Sequence, residues 1–378
     1  MELHEVVIEG DIDVHEARFE GNAEFEESEF RGEATFDEAV FNDDVSYDGS
    51  VFESEARFRV TEFYGKSNML EDNTSFDDTV FEERADFSHS AFEYTSFSGA
   101  EFRDDAVFEK SRFEGLSEFP GMRFEGEAEF SRAVFEDKAV FEGVVFYADA
   151  VFEKTVFDRD GEFEAVVFEG AADFDEAEFK EDVSFADAEF RNEATFTGTV
   201  FEGGDRALEA DADFSNTKFC SDCDFQKAEF RGADFSGSAF VGHAMFQESV
   251  YDGDADFPNT VFESEADFDE VRFNEDVDFS GVRFEKPVVF RGAEFLGEAN
   301  HLEDDATFEN GTFVTDADFD NAKFTSGNFV NVDFGGIIDF RGVEFTERVD
   351  FKAESMDRDT YVNLTGATIR DGVIKQPE

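Results

Sequence analysis

The chain has 378 residues, 97 Asp and Glu against 31 Lys and Arg for a formal net charge of −66, and 56 Phe with no Trp. That charge repels nucleic acid and anionic membrane surfaces, which excludes direct binding to either. An apolar content of 40% excludes wholesale disorder, and Phe takes the core role that Leu, Ile and Val usually share.

Residues 1–20 carry acids and no apolar h-region, so no signal peptide is predicted. No apolar run approaches the ~18 residues of a membrane span, and the two Cys make no disulfide framework. The expected localisation is cytoplasmic. Two explanations of the charge compete. Acids follow nearly every core position and Arg outnumbers Lys, which suits a salt-adapted cytosol, a haloarchaeal-type composition. The other explanation is a surface that imitates DNA.

From the start, Leu3, Ile8 and Val14 lead into Phe19, Phe25, Phe30, Phe36, Phe41, Tyr47, Phe52, Phe58 and Phe63, with steps that alternate 6 and 5. The same alternation runs from Phe102 to Phe201. The residue two before each aromatic is small, as at Ala23, Ser28, Ala34, Ala39 and Ser50, and Gly often sits two after, as at Gly21, Gly32, Gly126, Gly143 and Gly170. A period of 5 or 6 fits neither a helix face nor a long strand. It predicts a short strand and a corner, repeated, with the aromatic and the small residue inward and the residue between them outward. Stacked coils then satisfy one another's backbone groups, and each ring stacks on the ring one coil away.

Units such as Ala233-Asp234-Phe235-Ser236-Gly237 and Ala228-Glu229-Phe230-Arg231-Gly232 resemble the pentapeptide-repeat family, whose pattern is A-(D/N)-L-x-x. Phe replaces Leu here, and every second unit has six residues. The resemblance implies an all-β fold, a right-handed quadrilateral β-helix, and the six-residue units and the count of sides give about 16 coils of about 22 residues. A single solenoid over 1–378 is expected, ~77 Å long at ~4.8 Å per coil.

Three 13-residue steps interrupt the rhythm, with insertions at about 64–75, 202–213 and 296–307. They lie 24 and then 16 sides apart, both multiples of four, so one face should carry all three, roughly 29 Å and then ~19 Å apart. A shortened step follows four sides after each, at Phe92–Phe97, Phe230–Phe235 and Phe324–Phe329. Each shortened side should lie beside its loop, one coil on. Near the end Leu364, Ile369 and Ile374 return to the aliphatic pattern, and about 352–378 is expected as a C-terminal cap.

The insertions share a pattern in Leu70-Glu71-Asp72, Leu208-Glu209 and Leu302-Glu303-Asp304. They read as a row of interaction loops or as inherited decorations whose Leu tucks onto the shortened side. Val134, Val140, Val145, Val151 and Val156 fill five successive outward positions, a candidate apolar contact belt or simply good strand formers. Cys220-Ser-Asp-Cys223 is a lone C-x-x-C with one sulfur inward and one at a corner, poor metal geometry. No Ser/His/Asp or Cys/His set assembles, and a repeat gives carboxylates near-identical surroundings, so no catalytic, metal or cofactor site is expected.

The expected function is a non-catalytic interaction scaffold with an unknown protein partner. The alternative is a DNA mimic that binds a type II topoisomerase such as DNA gyrase, since some members of the family imitate duplex DNA and ~77 Å of duplex carries roughly 45 charges. A carbohydrate-active β-helix enzyme is the remote alternative. An uncapped N-terminal end makes an end-to-end homodimer a candidate assembly. If the acidity is salt adaptation, raising KCl from ~0.1 M to several molar screens the carboxylates and raises the thermal midpoint. A midpoint indifferent to salt in calorimetry would remove that reading's main support.

Overall fold

The computed structural model describes residues 3–65, 74–204, 211–297, 305–356 and 360–375. Among them every regular element is a β-strand, and they make a parallel β-solenoid of about 15 turns. Two compact units, Met1–Ser184 and Phe185–Glu378, are taken in turn.

In the first unit the first side of each turn is a two-residue strand that pairs with the strand one turn on, 22 residues away in the regular turns, as Val7 with Glu29 and Glu29 with Val51. The second, third and fourth sides pair likewise, Ile12 with Ala34, Arg18 with Val40 and Ala23 with Val45. Four sides per turn therefore close a four-sided coil. In the second unit the sides begin at Glu189–Phe190, Ala194–Thr195, Val200–Phe201 and Ala212–Asp213, and each pairs with the fourth strand after it.

Two kinds of corner explain the alternating steps. After the second and fourth sides the chain makes a closed four-residue turn, in which Ala39 N–H donates to Phe36 O and Ser50 N–H to Tyr47 O, both at 3.0 Å. The third turn residue is left-handed, with φ of 58° at Glu38 and 64° at Gly49. This corner spans the five-residue step. The corners after the first and third sides are open bends and span the six-residue step. At such a bend Gly126 answers close approach rather than handedness, because a Cβ on it would lie 2.4 Å from the Asp104 carbonyl carbon one turn away.

The core is four columns of rings. Phe108, Phe130 and Phe152 stack at 4.8 and 4.9 Å with planes within 3°. Phe141, from the column of the opposite side, meets Phe130 and Phe152 edge-on, at 88° and 87°. Both geometries suit the ring quadrupole. The inward small residues are buried, and several of the hydroxyls among them also bond: Thr61 Oγ1 donates to Phe36 O at 2.8 Å and Thr155 Oγ1 to Phe130 O at 2.7 Å, one turn earlier.

Outward residues of the second and fourth sides brace the closed turns. In the first unit Asp86 Oδ1 accepts Ser88 N–H at 3.0 Å and Asp173 Oδ1 accepts Asp175 N–H at 2.9 Å. The acid of the repeat thus has a local backbone task besides its charge. Arg103 reaching Glu82 of the preceding turn at 2.5 Å offsets some of the repulsion.

Toward the end of the second unit, Gly327–Phe334 and Glu344–Met356 run through corners as continuous strands. Within 352–378, the stretch expected to form a cap, the described strands Tyr361–Asn363 and Thr368–Lys375 go on pairing in parallel, Val362 with Ile338 and Ile369 with Phe345. Leu364, the last in its column, is 43% exposed.

Tyr47 breaks the uniformity of the core. It is fully buried between Phe25 and Phe76, at 4.8 and 4.9 Å, and its hydroxyl meets no hydrogen-bond partner among the described residues. Burial pushes the phenol pKa well up. A buried unpaired hydroxyl costs about 1–3 kcal/mol, so Tyr47→Phe should raise stability by about that much in guanidinium unfolding. A lower midpoint in the variant would mean that the hydroxyl is satisfied by water.

Candidate functional site

In the first unit the insertion leaves the corner between Glu62–Phe63 and Thr74–Ser75. In the second unit both insertions leave the corner between the third and fourth sides, from Val200–Phe201 to Ala212–Asp213 and from Glu294–Phe295 to Ala306–Thr307. The third-side column Val200, Glu229, Val250, Arg272 and Glu294 sets them four turns apart, or ~19 Å. Leu70, Glu71, Asp72, Leu208, Glu209, Leu302, Glu303 and Asp304 lie outside the described residues.

The necks of the two insertions in the second unit are well defined. Each opens on a left-handed glycine two residues after Phe, Gly203 at φ 66° and Gly297 at φ 60°. Each closes on an aspartate packed against that glycine. A Cβ on Gly203 would lie 2.1 Å from Asp211 Cβ, and one on Gly297 would lie 2.2 Å from Asp305 Cβ. The shortened side does lie one turn on, where Ala212 pairs with Ala233 and Thr307 with Asn328. Its corner ties down the neck: Arg231 Nη1 donates to Gly204 O at 2.7 Å, and Asp305 N–H donates to Ser326 Oγ at 2.9 Å. The sequence did hold a signal for these necks, Gly followed eight residues later by Asp or Asn, at Gly203 and Asp211, Gly297 and Asp305, and Gly65 and Asn73.

The fourth side of the second unit carries a carboxylate ladder in register, Asp213, Asp234, Asp256 and Asp278, continued by Thr307 and Asn328. An open groove of about 460 Å³ follows it, lined by Asp254, Asp256, Asp276, Val277, Asp278, Thr307 and Asn328. Asp234 accepts Ser236 N–H at 2.7 Å and Asp278 accepts Ser280 N–H at 2.6 Å. Asp256 has no such donor, because Pro258 stands in that place. Burial, then the charges of Asp234, Asp278 and Asp254, push its carboxyl up to about 6. The arrangement suits a cationic group placed across the ladder.

The five valines encircle one turn of the first unit, each half-buried. Val134 and Val156 adjoin on the third side. Val140 stands between Glu118 and Glu162, Val151 between Glu129 and Asp173, and Val145 between Arg123 and Val167. They are spread over four sides, with charged neighbours along each. Cys223 is buried in the inward slot, Cys220 is half-buried at a corner, and burial pushes both thiols up. One triad among the described residues, His15, Glu16 and Glu38, brings three possible ligand atoms within 4.8 Å, all on exposed side chains.

A family model described as pentapeptide repeats, nine copies, matches residues 15–62, 119–167, 163–206, 214–261 and 257–300, more than half of the chain. The chain belongs to the pentapeptide-repeat family. Among solved structures it is similar to HetL, a pentapeptide repeat protein involved in heterocyst differentiation regulation from the cyanobacterium Nostoc sp. strain PCC 7120, with 12% identity over 95% of this chain and 92% of that one at a TM-score of 0.12. It is also similar to QnrB1, a plasmid-mediated fluoroquinolone resistance protein, with 13% identity over 79% and 84% at a TM-score of 0.12. No curated protein matches the chain. Among the described residues no helix is long and apolar enough to cross a membrane.

The ladder makes a pH prediction. Asp256 has a folded pKa of about 6, above its ordinary value of 3.8, so the fold favours its protonated form. The associated stability is full below the ordinary value and is lost as pH rises through about 6. Asp256→Asn should therefore stabilise the protein at pH 7 by ~1 kcal/mol, discounted for solvent screening, and change little at pH ~4. Equal gains at both pH values in urea unfolding would show that the charge of Asp256 is not the cause.

Proposed function

We propose that this pentapeptide-repeat protein is a non-catalytic interaction scaffold of a salt-adapted cytosol, formed as a single solenoid over 1–378. Its recognition face is the insertion-bearing corner and the acidic fourth side that runs from it. The observation that carries the reading is the pair of insertions in the second unit. They share one corner, and their necks are held by Arg231 and Ser326 of the shortened side. A scaffold that pins the ends of inserted loops limits the ordering entropy those loops lose on binding. The partner that fits presents cationic groups to the ladder from Asp213 to Asp278 and adjoining surface to the loops.

DNA mimicry of a type II topoisomerase's substrate is the second reading. It gains support from the same ladder, because Asp213, Asp234, Asp256 and Asp278 follow a single path at the spacing of the turns.

Affinity capture at high salt tests both readings, with the intact protein set against a variant whose insertions are trimmed to six-residue steps. A partner recovered by the intact protein and lost on trimming supports the loop-bearing face. A type II topoisomerase recovered equally by both forms supports mimicry by the solenoid itself. No enriched partner with either form overturns the scaffold reading.

A further inference from the structure

The third residue of the closed turns is left-handed throughout, and Asn fills that slot at Asn216, Asn259, Asn310, Asn321 and Asn331. Four of these are followed by Thr, Ala or Val, and only Asn310 is followed by glycine, the single Asn-Gly pair in the chain. Asn-Gly is the pair most open to ring closure, because no side chain shields the following amide nitrogen. In that reaction the Gly311 nitrogen attacks Asn310 Cγ. The new C–N bond forms, the bond to the side-chain nitrogen breaks, and ammonia leaves. Water then opens the five-membered imide at either carbonyl, to Asp or to iso-Asp.

The fold opposes each part of this. Gly311 is buried, and its N–H is committed to Phe308 O at 3.0 Å, the bond that closes the turn. Asn310 is exposed but held at φ 59°, its own N–H bonded to Val330 O at 3.0 Å. Asn331 Nδ2 donates to its side-chain oxygen at 3.3 Å. Ring closure requires the backbone to rotate about the Asn310 carbonyl bond, which breaks the turn. There is little space for that, since a Cβ on Gly311 would already lie 2.9 Å from Phe308 O.

We propose that Asn310–Gly311 is a conformationally gated deamidation site, spared while the second unit is folded and reactive once it opens. The reaction then makes unfolding irreversible. An iso-Asp linkage adds a methylene to the main chain inside a four-residue turn, and Thr312–Phe313 no longer keeps register with Arg283–Phe284 and Asp333–Phe334. The ordinary Asp product is harmless by contrast, because Asp78 and Asp187 already occupy the equivalent left-handed slot.

The test is incubation of the whole chain at mildly alkaline pH, in native buffer and in concentrated guanidinium chloride, followed by mass spectrometry of the residue 310 peptide and by refolding. The folded protein should lose ammonia from Asn310 at least ~10-fold more slowly, since reaction waits on local opening. The iso-Asp fraction should fail to refold while N310D refolds like the parent. Equal rates in the two states would overturn the gating. Refolding of the iso-Asp form, or failure of N310D, would overturn the argument from linkage.

Discussion

A flat ring can repeat along an axis only at its own thickness plus contact distance, and parallel strands can repeat only at the spacing of their hydrogen bonds. In this protein the two repeats nearly coincide. Phe130 and Phe152 lie 4.9 Å apart because Ala128 and Ala150 pair as neighbouring strands. The rest follows from that coincidence. The side chain two before the ring must be small, since four rings already fill the layer. The residue between them must face out, and there it can be charged at nearly every position. A net charge of −66 is tolerable because the core that opposes it is replicated in every turn and the carboxylates lie outside it.

Much of this was legible in the residue spacing. The family resemblance implied four sides, the alternation of 6 and 5 set the coil at 22 residues, and the 16-side interval between the later insertions foretold a shared corner, which the second unit has. The physical source of the alternation was not legible. It lies in hydrogen bonds such as Ala39 N–H to Phe36 O, and a list of side chains does not reveal main-chain closure. The outward acid was read as solvent-facing, although Asp86 and Asp234 also accept turn N–H groups. Pro258 costs the main chain little, because it stands at a corner. Its cost falls on Asp256, a neighbour in sequence whose carboxylate loses a donor.

The candidate site was legible only in part. The interruptions of the rhythm and their shortened neighbours could be read from the sequence, because both are counts of residues. The roles of Gly203, Asp211, Arg231 and Ser326 in holding the necks were missed, since the search for shared motifs stopped at the Leu-Glu pairs and did not extend to the ends. The ladder from Asp213 to Asp278 was hidden by abundance. In a chain with 97 acids, only the register of one side distinguishes a path from a background.

The two corner types differ in what they can absorb. A closed turn has its length fixed by the bond from its fourth residue to its first, and an added residue there breaks both that bond and the left-handed slot. An open bend has no such closure, and all three insertions, like all three deletions, fall at open bends. Each turn thus offers two ports through which the chain can lengthen or shorten while the rings above and below keep their register. Such a solenoid can exchange what it displays by editing one corner, without refashioning the column that carries it.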